Sequence, residues 1–87
     1  MPEFSFAFSY DIHRGVAWLT LLGCLDRAGA QRLQGVLRTV VSGLAPREVL
    51  VDMRDVACSD GVSVRRLVRD GAAAGRGGCD VVLVDRA

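Results

Sequence analysis

The residues with the most chemical potential stand together between positions 58 and 66: Cys58-Ser59-Asp60-Gly61-Val62-Ser63-Val64-Arg65-Arg66. A cysteine just ahead of a helix can be held as a thiolate, because the helix N-terminus favours negative charge. An arginine shortly beyond it could then grip a phosphate or another oxyanion. Loops that work this way set five residues between cysteine and arginine. Here six intervene before Arg65, and Val64 takes the arginine's place. Asp60 inside the loop would also repel an anion. The spacing therefore disfavours a small thiol enzyme using Cys58.

Other chemistry is thinly represented. Cys24, Cys58 and Cys79 lie more than twenty residues apart, and the single His13 falls in a turn. That spacing suits reduced thiols in a cytosol better than a disulfide framework or a zinc site, so no metal or other cofactor is expected. No paired carboxylates, Ser-His-Asp set or phosphate-cradling glycine loop stands out. The glycines Gly75, Gly77 and Gly78 fall at a helix exit, the wrong end for an anion. Asp26 and Asp60 each precede a helical pattern, where a carboxylate is an N-cap first and a partner contact second. Arg65, Arg66 and Arg69 point outward from an amphipathic helix and serve either as its solvated side or as a basic contact face.

The elements that position these residues follow from periodicity. Phe4, Phe6, Phe8, Tyr10 and Ile12 alternate with Ser5, Ala7, Ser9 and Asp11, the period of a half-buried strand. After a turn at His13-Arg14-Gly15, Val16 to Leu22 is apolar almost throughout, as in a strand covered on both faces, and the two strands form a hairpin. Trp18 and the aromatic side of the first strand are expected in the core. Gly23 to Asp26 ends the second strand. Ala30, Leu33, Leu37, Val40, Val41 and Leu44 then make one helical stripe, closed by Gly43 and Pro46. Glu48 to Met53 is a short buried strand, and a loop runs from Arg54 to Ser59. A second helix extends from about Asp60 to Gly75, with Val64, Leu67, Val68, Gly71 and Ala72 inward. Cys79 to Val84 is the last strand. The order β-β-α-β-α-β contains two strand–helix–strand crossovers, each of which makes its strands parallel.

The chain has 87 residues, enough for one domain and no second core. It is 51% hydrophobic and 24% charged, with a net charge of +1, ordinary values for a globular protein. All eleven basic residues are arginine. A near-neutral balance argues against nucleic acid, which needs a concentrated basic face. No apolar run reaches the length of a membrane span and no leader pattern opens the chain, so a cytoplasmic protein without membrane insertion is expected.

A strand closing on Gly23-Cys24-Leu25-Asp26, an amphipathic helix, the strand Val49-Leu50-Val51-Asp52-Met53-Arg54-Asp55-Val56, a Ser/Asp/Gly cluster opening a second helix, and the tail from Arg76 to Val84 together resemble the STAS domain of anti-sigma factor antagonists. The ordered set runs from Phe4 to Val84. The resemblance implies an α/β fold with an N-terminal hairpin and a mixed, mostly parallel sheet packed against helices, the family's C-terminal helix being missing or truncated. It also implies a non-catalytic role in partner switching. Bacterial members bind an anti-sigma factor that is also an ATP-binding serine kinase, and phosphorylation of one serine in a D-S-S/T-G motif ends that binding. Aligned without gaps, Asp60 takes the motif's aspartate, Gly61 the phosphoacceptor, Val62 follows, and Ser63 replaces the glycine. Gly61 has no hydroxyl to modify. A gapped alternative makes Ser59 the acceptor, and Ser59 and Ser63 are the fallback acceptors. Expected partner contacts are Asp26, Cys58, Ser59, Asp60, Gly61, Val62, Ser63, Arg65 and Arg66. The alternative is a scaffold subunit that is not phospho-regulated and self-associates through an uncovered sheet face.

Overall fold

The computed structural model describes residues 3–72 and 79–85. Its elements come in the expected order: β1 (Ser5–Asp11), β2 (Val16–Leu25), α1 (Arg27–Leu44), β3 (Glu48–Cys58), α2 (Val64–Ala72) and β4 (Asp80–Val84). The hairpin closes on Asp11. Its carboxylate accepts from the His13 and Arg14 amides at 3.0 and 3.2 Å, and its carbonyl accepts from Gly15 N–H at 2.8 Å. The sheet order is β1-β2-β3-β4, with β1 antiparallel and the other two pairings parallel. This is a STAS-like mixed α/β architecture.

Register sorts the side chains onto two faces. Phe8, Leu19, Val51 and Leu83 stand in one row across the sheet, and Ser9, Trp18, Leu50 and Val82 in the next. The first row faces the helices. Leu19 and Val51 in it are buried, together with Leu21, Leu25 and Val49 and with Leu33 and Leu37 of α1. α1 begins at Asp26, whose carboxylate accepts from Gly29 N–H at 2.8 Å, the expected N-cap. Ala30, Leu33, Leu37, Val40 and Val41 are its buried stripe. Leu44, expected in that stripe, is exposed at the helix end. Gly43 stays helical and Ala45 adopts the left-handed turn, at φ 46.

α2 packs on α1 through Val64, Val68 and Gly71. A β-carbon at Gly71 would lie 2.8 Å from the Leu37 Cβ, so the two helices approach more closely there than any larger residue allows. The expected exit of this helix, from Ala73 to Gly78, lies outside the described residues.

Three expectations need correction. β2 does not stop at Leu22, nor β3 at Met53. Gly23, Cys24 and Leu25 pair with Val56, Ala57 and Cys58, so Arg54 to Cys58 is strand and not loop. A register shift between Thr20 and Leu22 absorbs the irregularity, and the ladder resumes beyond it. Secondly, β2 is covered on one face only. Trp18, on the outer row with no helix above it among the described residues, is 48% exposed, so it is not core. Thirdly, the aromatic side of β1 is only partly covered. α1 lies over β2, leaving Phe6 38% and Phe8 41% exposed at the sheet margin, while Phe4 is buried and Ile12 projects from the turn.

Candidate functional site

The corner between β3 and α2 is built from the end of the sheet. Because β2 and β3 stay paired to their last residues, Ser59 N–H reaches the Leu25 carbonyl at 3.0 Å. The chain then reverses over Ser59-Asp60-Gly61-Val62, with Val62 N–H donating to the Ser59 carbonyl at 3.0 Å. Asp60 and Gly61 have φ of 57° and 73°. Two successive left-handed residues define a tight turn for which Asp-Gly is a favoured pair. Glycine adopts this conformation without strain, and a β-carbon on Gly61 would meet nothing within 4 Å.

This geometry corrects the expected role of Asp60. The helix starts at Val64, so Asp60 lies too far upstream to cap it. Ser63 caps it instead. Its Oγ accepts from Arg66 N–H at 3.4 Å and its carbonyl from Leu67 N–H at 3.0 Å. Replacing Asp26 or Ser63 by alanine is expected to cost about 0.5–2 kcal/mol each. Asp60→Gly should cost nothing, since the left-handed conformation suits glycine. Urea unfolding of the three variants checks this order, and equal losses at Asp26 and Asp60 would contradict it.

The structure brings Asp26, Ser59 and Asp60 around one open hollow of about 630 Å³, shared with Glu3, Cys24 and Arg32. The Cys24 thiol donates to Ser59 Oγ at 3.7 Å. The Arg32 guanidinium reaches the Phe4 carbonyl at 3.4 Å and lies 5.8 Å from the centroid of the Phe4 ring. Cys58, Gly61, Ser63, Arg65 and Arg66 are exposed beside this hollow or along the helix, while Val62 packs against the core. Arg65 leans away towards Asp85, at 3.5 Å. Glu3, Cys24 and Arg32 were not foreseen as site residues. Arg32 reads in sequence as one more polar residue of an amphipathic helix, and only the packing of the N-terminal segment beside α1 brings it here.

The arrangement is suited to binding more than to covalent chemistry. Cys58 is the exposed last residue of a strand, six positions before the first residue of the helix. Burial pushes the half-buried Cys79 thiol up, with the Asp80 and Glu48 charges adding to the effect, the reverse of an activated nucleophile. Among the described residues, no group of three or more His, Cys, Asp or Glu side chains could hold a metal ion, and no helix is long and apolar enough to cross a membrane. The carboxylates of Glu3, Asp26 and Asp60 outnumber Arg32 around the hollow, so its field favours a cationic group.

Compared with known proteins, the chain matches no family model and no curated sequence. Solved structures do match. The crystal structure of Mglu aligns with a TM-score of 0.62 at 25% identity over 83% of this chain, which spans only 18% of that protein's length. The anti-sigma factor antagonist SpoIIAA in its unphosphorylated form aligns with a TM-score of 0.59 at 19% identity, covering 91% of this chain and 71% of its own. The Bacillus cell fate determinant SpoIIAA in its phosphorylated form gives 0.62 at 13% identity, covering 95% and 92%. The likeness is one of fold, and the fold is STAS-like.

Proposed function

We propose that this STAS-like chain is a non-catalytic, cytoplasmic regulator of the anti-sigma factor antagonist kind, acting in transcription control by binding another protein. It docks through the Cys58–Arg66 corner on an anti-sigma factor that is also an ATP-binding serine kinase. The observation that carries this reading is the fold's likeness to SpoIIAA, combined with an exposed Asp60–Gly61 turn at the mouth of the second helix. Glycine at the turn leaves no hydroxyl where the resemblance expects the acceptor, so binding is constitutive and kinase activity does not interrupt it.

Ser59 and Ser63 are the fallback acceptors, and Ser63 is exposed. The Ser59 hydroxyl is half-buried and engaged by Cys24, and Ser63 is occupied as a helix cap. The test is affinity capture with the whole chain as bait, followed by titration of each captured protein. An ATP-binding serine kinase should bind with unchanged affinity before and after incubation with ATP, and the Arg65→Glu/Arg66→Glu variant should weaken it at least tenfold. Phosphate recovered on Ser59 or Ser63 would overturn the constitutive reading. Recovery of further copies of the chain, with no kinase, would favour the scaffold alternative. The bare outer row of Trp18, Leu50 and Val82 supports that alternative independently.

A further inference from the structure

The free edge of the sheet is complementary to itself. β1 is an edge strand, and among the described residues nothing pairs with its outer side. Protected edges carry proline, charge or a bulge. β1 has no proline, pairs with β2 in unbroken register over all seven residues, and bears no charge from Ser5 to Tyr10. Beside it runs an open groove of about 620 Å³, walled by Phe6 and Phe8 of the strand and by Gly35, Val36, Thr39 and Val40 of α1. Arg32, which also lines it, is held by the Phe4 carbonyl and ring near the start of the strand.

Register and charge choose the occupant. A two-fold axis perpendicular to the sheet pairs two copies of β1 antiparallel and keeps their helices on one face. Only an axis through Phe8, the midpoint of Ser5–Asp11, pairs all seven residues. Phe6 then stands opposite Tyr10 of the other copy, Phe8 opposite Phe8, and Tyr10 opposite Phe6. These are three aromatic cross-strand pairs on the helix side. An axis at Ala7 would set Glu3 against Asp11, like against like, and one at Ser9 would leave Ser5 and Phe6 facing turn residues. With the axis at Phe8, Glu3 comes level with His13 and beside Arg14 of the other copy, so the charged ends are complementary. The two Arg32 side chains, each at the Phe4 end, stand about 27 Å apart at roughly 3.4 Å per residue. That is well beyond a Debye length of about 8 Å, so they do not repel.

Spacing agrees. α1 lies over β2, so the two α1 axes would stand three strand spacings apart, about 14 Å. Helices in direct contact sit at about 8–10 Å. The extra width is a layer of side chains, and Phe6 and Phe8 of both copies supply it. A foreign strand would need the same uncharged, aromatic face to fill that gap, and this chain carries such a strand itself.

We propose that two copies of the chain join through β1 about a two-fold axis at Phe8, forming one eight-stranded sheet with the helices of both copies on one face. The joint is separate from the Cys58–Arg66 corner and from the outer row of Trp18. Its failure leaves the anti-sigma reading intact, and the reverse holds too.

Sedimentation equilibrium of the whole chain should give the mass of a dimer, and amide exchange in β1 should slow as concentration rises. Phe8→Lys, at an exposed position outside the packed core, should weaken the dimer about thirtyfold or more, because the two lysines meet at the axis. Phe8→Glu should do the same. Mixing the two variants should restore a dimer, since lysine of one copy then meets glutamate of the other, and the restored dimer shows that both fold. Trp18→Lys should leave the mass unchanged. A monomer at the highest soluble concentration, a folded Lys/Glu mixture that stays monomeric, or a dimer lost with Trp18→Lys and kept with Phe8→Lys would each overturn the proposal. So would a monomeric chain whose β1 amides are protected only by a foreign strand. If neither Phe8 variant folds, the concentration dependence of β1 exchange in the unaltered chain still decides.

Discussion

Gly61→Ser is expected to create a serine that the proposed partner kinase modifies stoichiometrically, and thereby to abolish the proposed docking. The substitution should fold. No atom lies within 4 Å of the new β-carbon. The left-handed backbone at φ 73° costs a serine about 1–2 kcal/mol, a tolerable loss for the domain. Phosphate on the new hydroxyl adds roughly 1.5–2 negative charges beside Asp60, in the middle of the proposed docking surface. Desolvating that charge in a docked surface costs several kcal/mol, which corresponds to a roughly hundredfold or greater loss of affinity, at about 1.4 kcal/mol per tenfold. Phosphate incorporation followed by mass spectrometry, with titration of modified and unmodified forms, measures both halves. A folded Gly61→Ser chain that binds the kinase and stays unmodified would sink the assignment of Gly61 to the acceptor position.

Gly71→Leu should damage the fold strongly although it removes no buried atom. A leucine side chain there must start 2.8 Å from the Leu37 Cβ, an atom fixed to the α1 backbone that cannot swing aside. Relief requires α2 to separate from α1, which uncovers Leu37, Val64 and Val68, each only 2% exposed. Overpacking of this kind costs about 3 kcal/mol, at the upper end of its usual range. An 87-residue domain has only about 4–13 kcal/mol in total, so the loss is a large fraction. The opposite sign is expected at Gly43, another helical glycine, where no atom lies within 4 Å. Gly43→Ala should gain about 0.5–1 kcal/mol from helix propensity alone. Denaturant midpoints for the two variants should move in opposite directions. A shift in the same direction would mean that the close approach of the helices does not matter to stability.

The order of elements was legible because period two and period 3.6 are both cleanly written, in Phe4 to Tyr10 and in Ala30 to Val41. The N-cap at Asp26 was legible for the same reason, since the helical stripe begins just beyond it. Strand ends were not. Gly23 and the charged run Arg54-Asp55 look like breakers in one dimension, yet Gly23 sits opposite Val56 and Asp55 opposite Leu22, and Arg54 falls in the register shift that the ladder crosses. Trp18 misled for a different cause: an apolar strand looks the same whether one or both of its faces are covered, and only the placement of both helices on one side decides. Asp60 misled because a carboxylate before a helix and a carboxylate in an Asp-Gly turn share a sequence context, separable only by φ. The polar hollow lay beyond reach of the sequence because Glu3, Arg32 and Ser59 come from three distant segments.

The amide of Ser59, held by the Leu25 carbonyl, ties the proposed docking turn to the end of the sheet. A recognition loop already frozen in shape surrenders little conformational entropy when its partner arrives, so contacts there convert to affinity with small loss. If the corner docks as proposed, exchanging the exposed side chains of Asp60 or Arg66 over an unchanging backbone would change the partner recognised and leave the fold as it is.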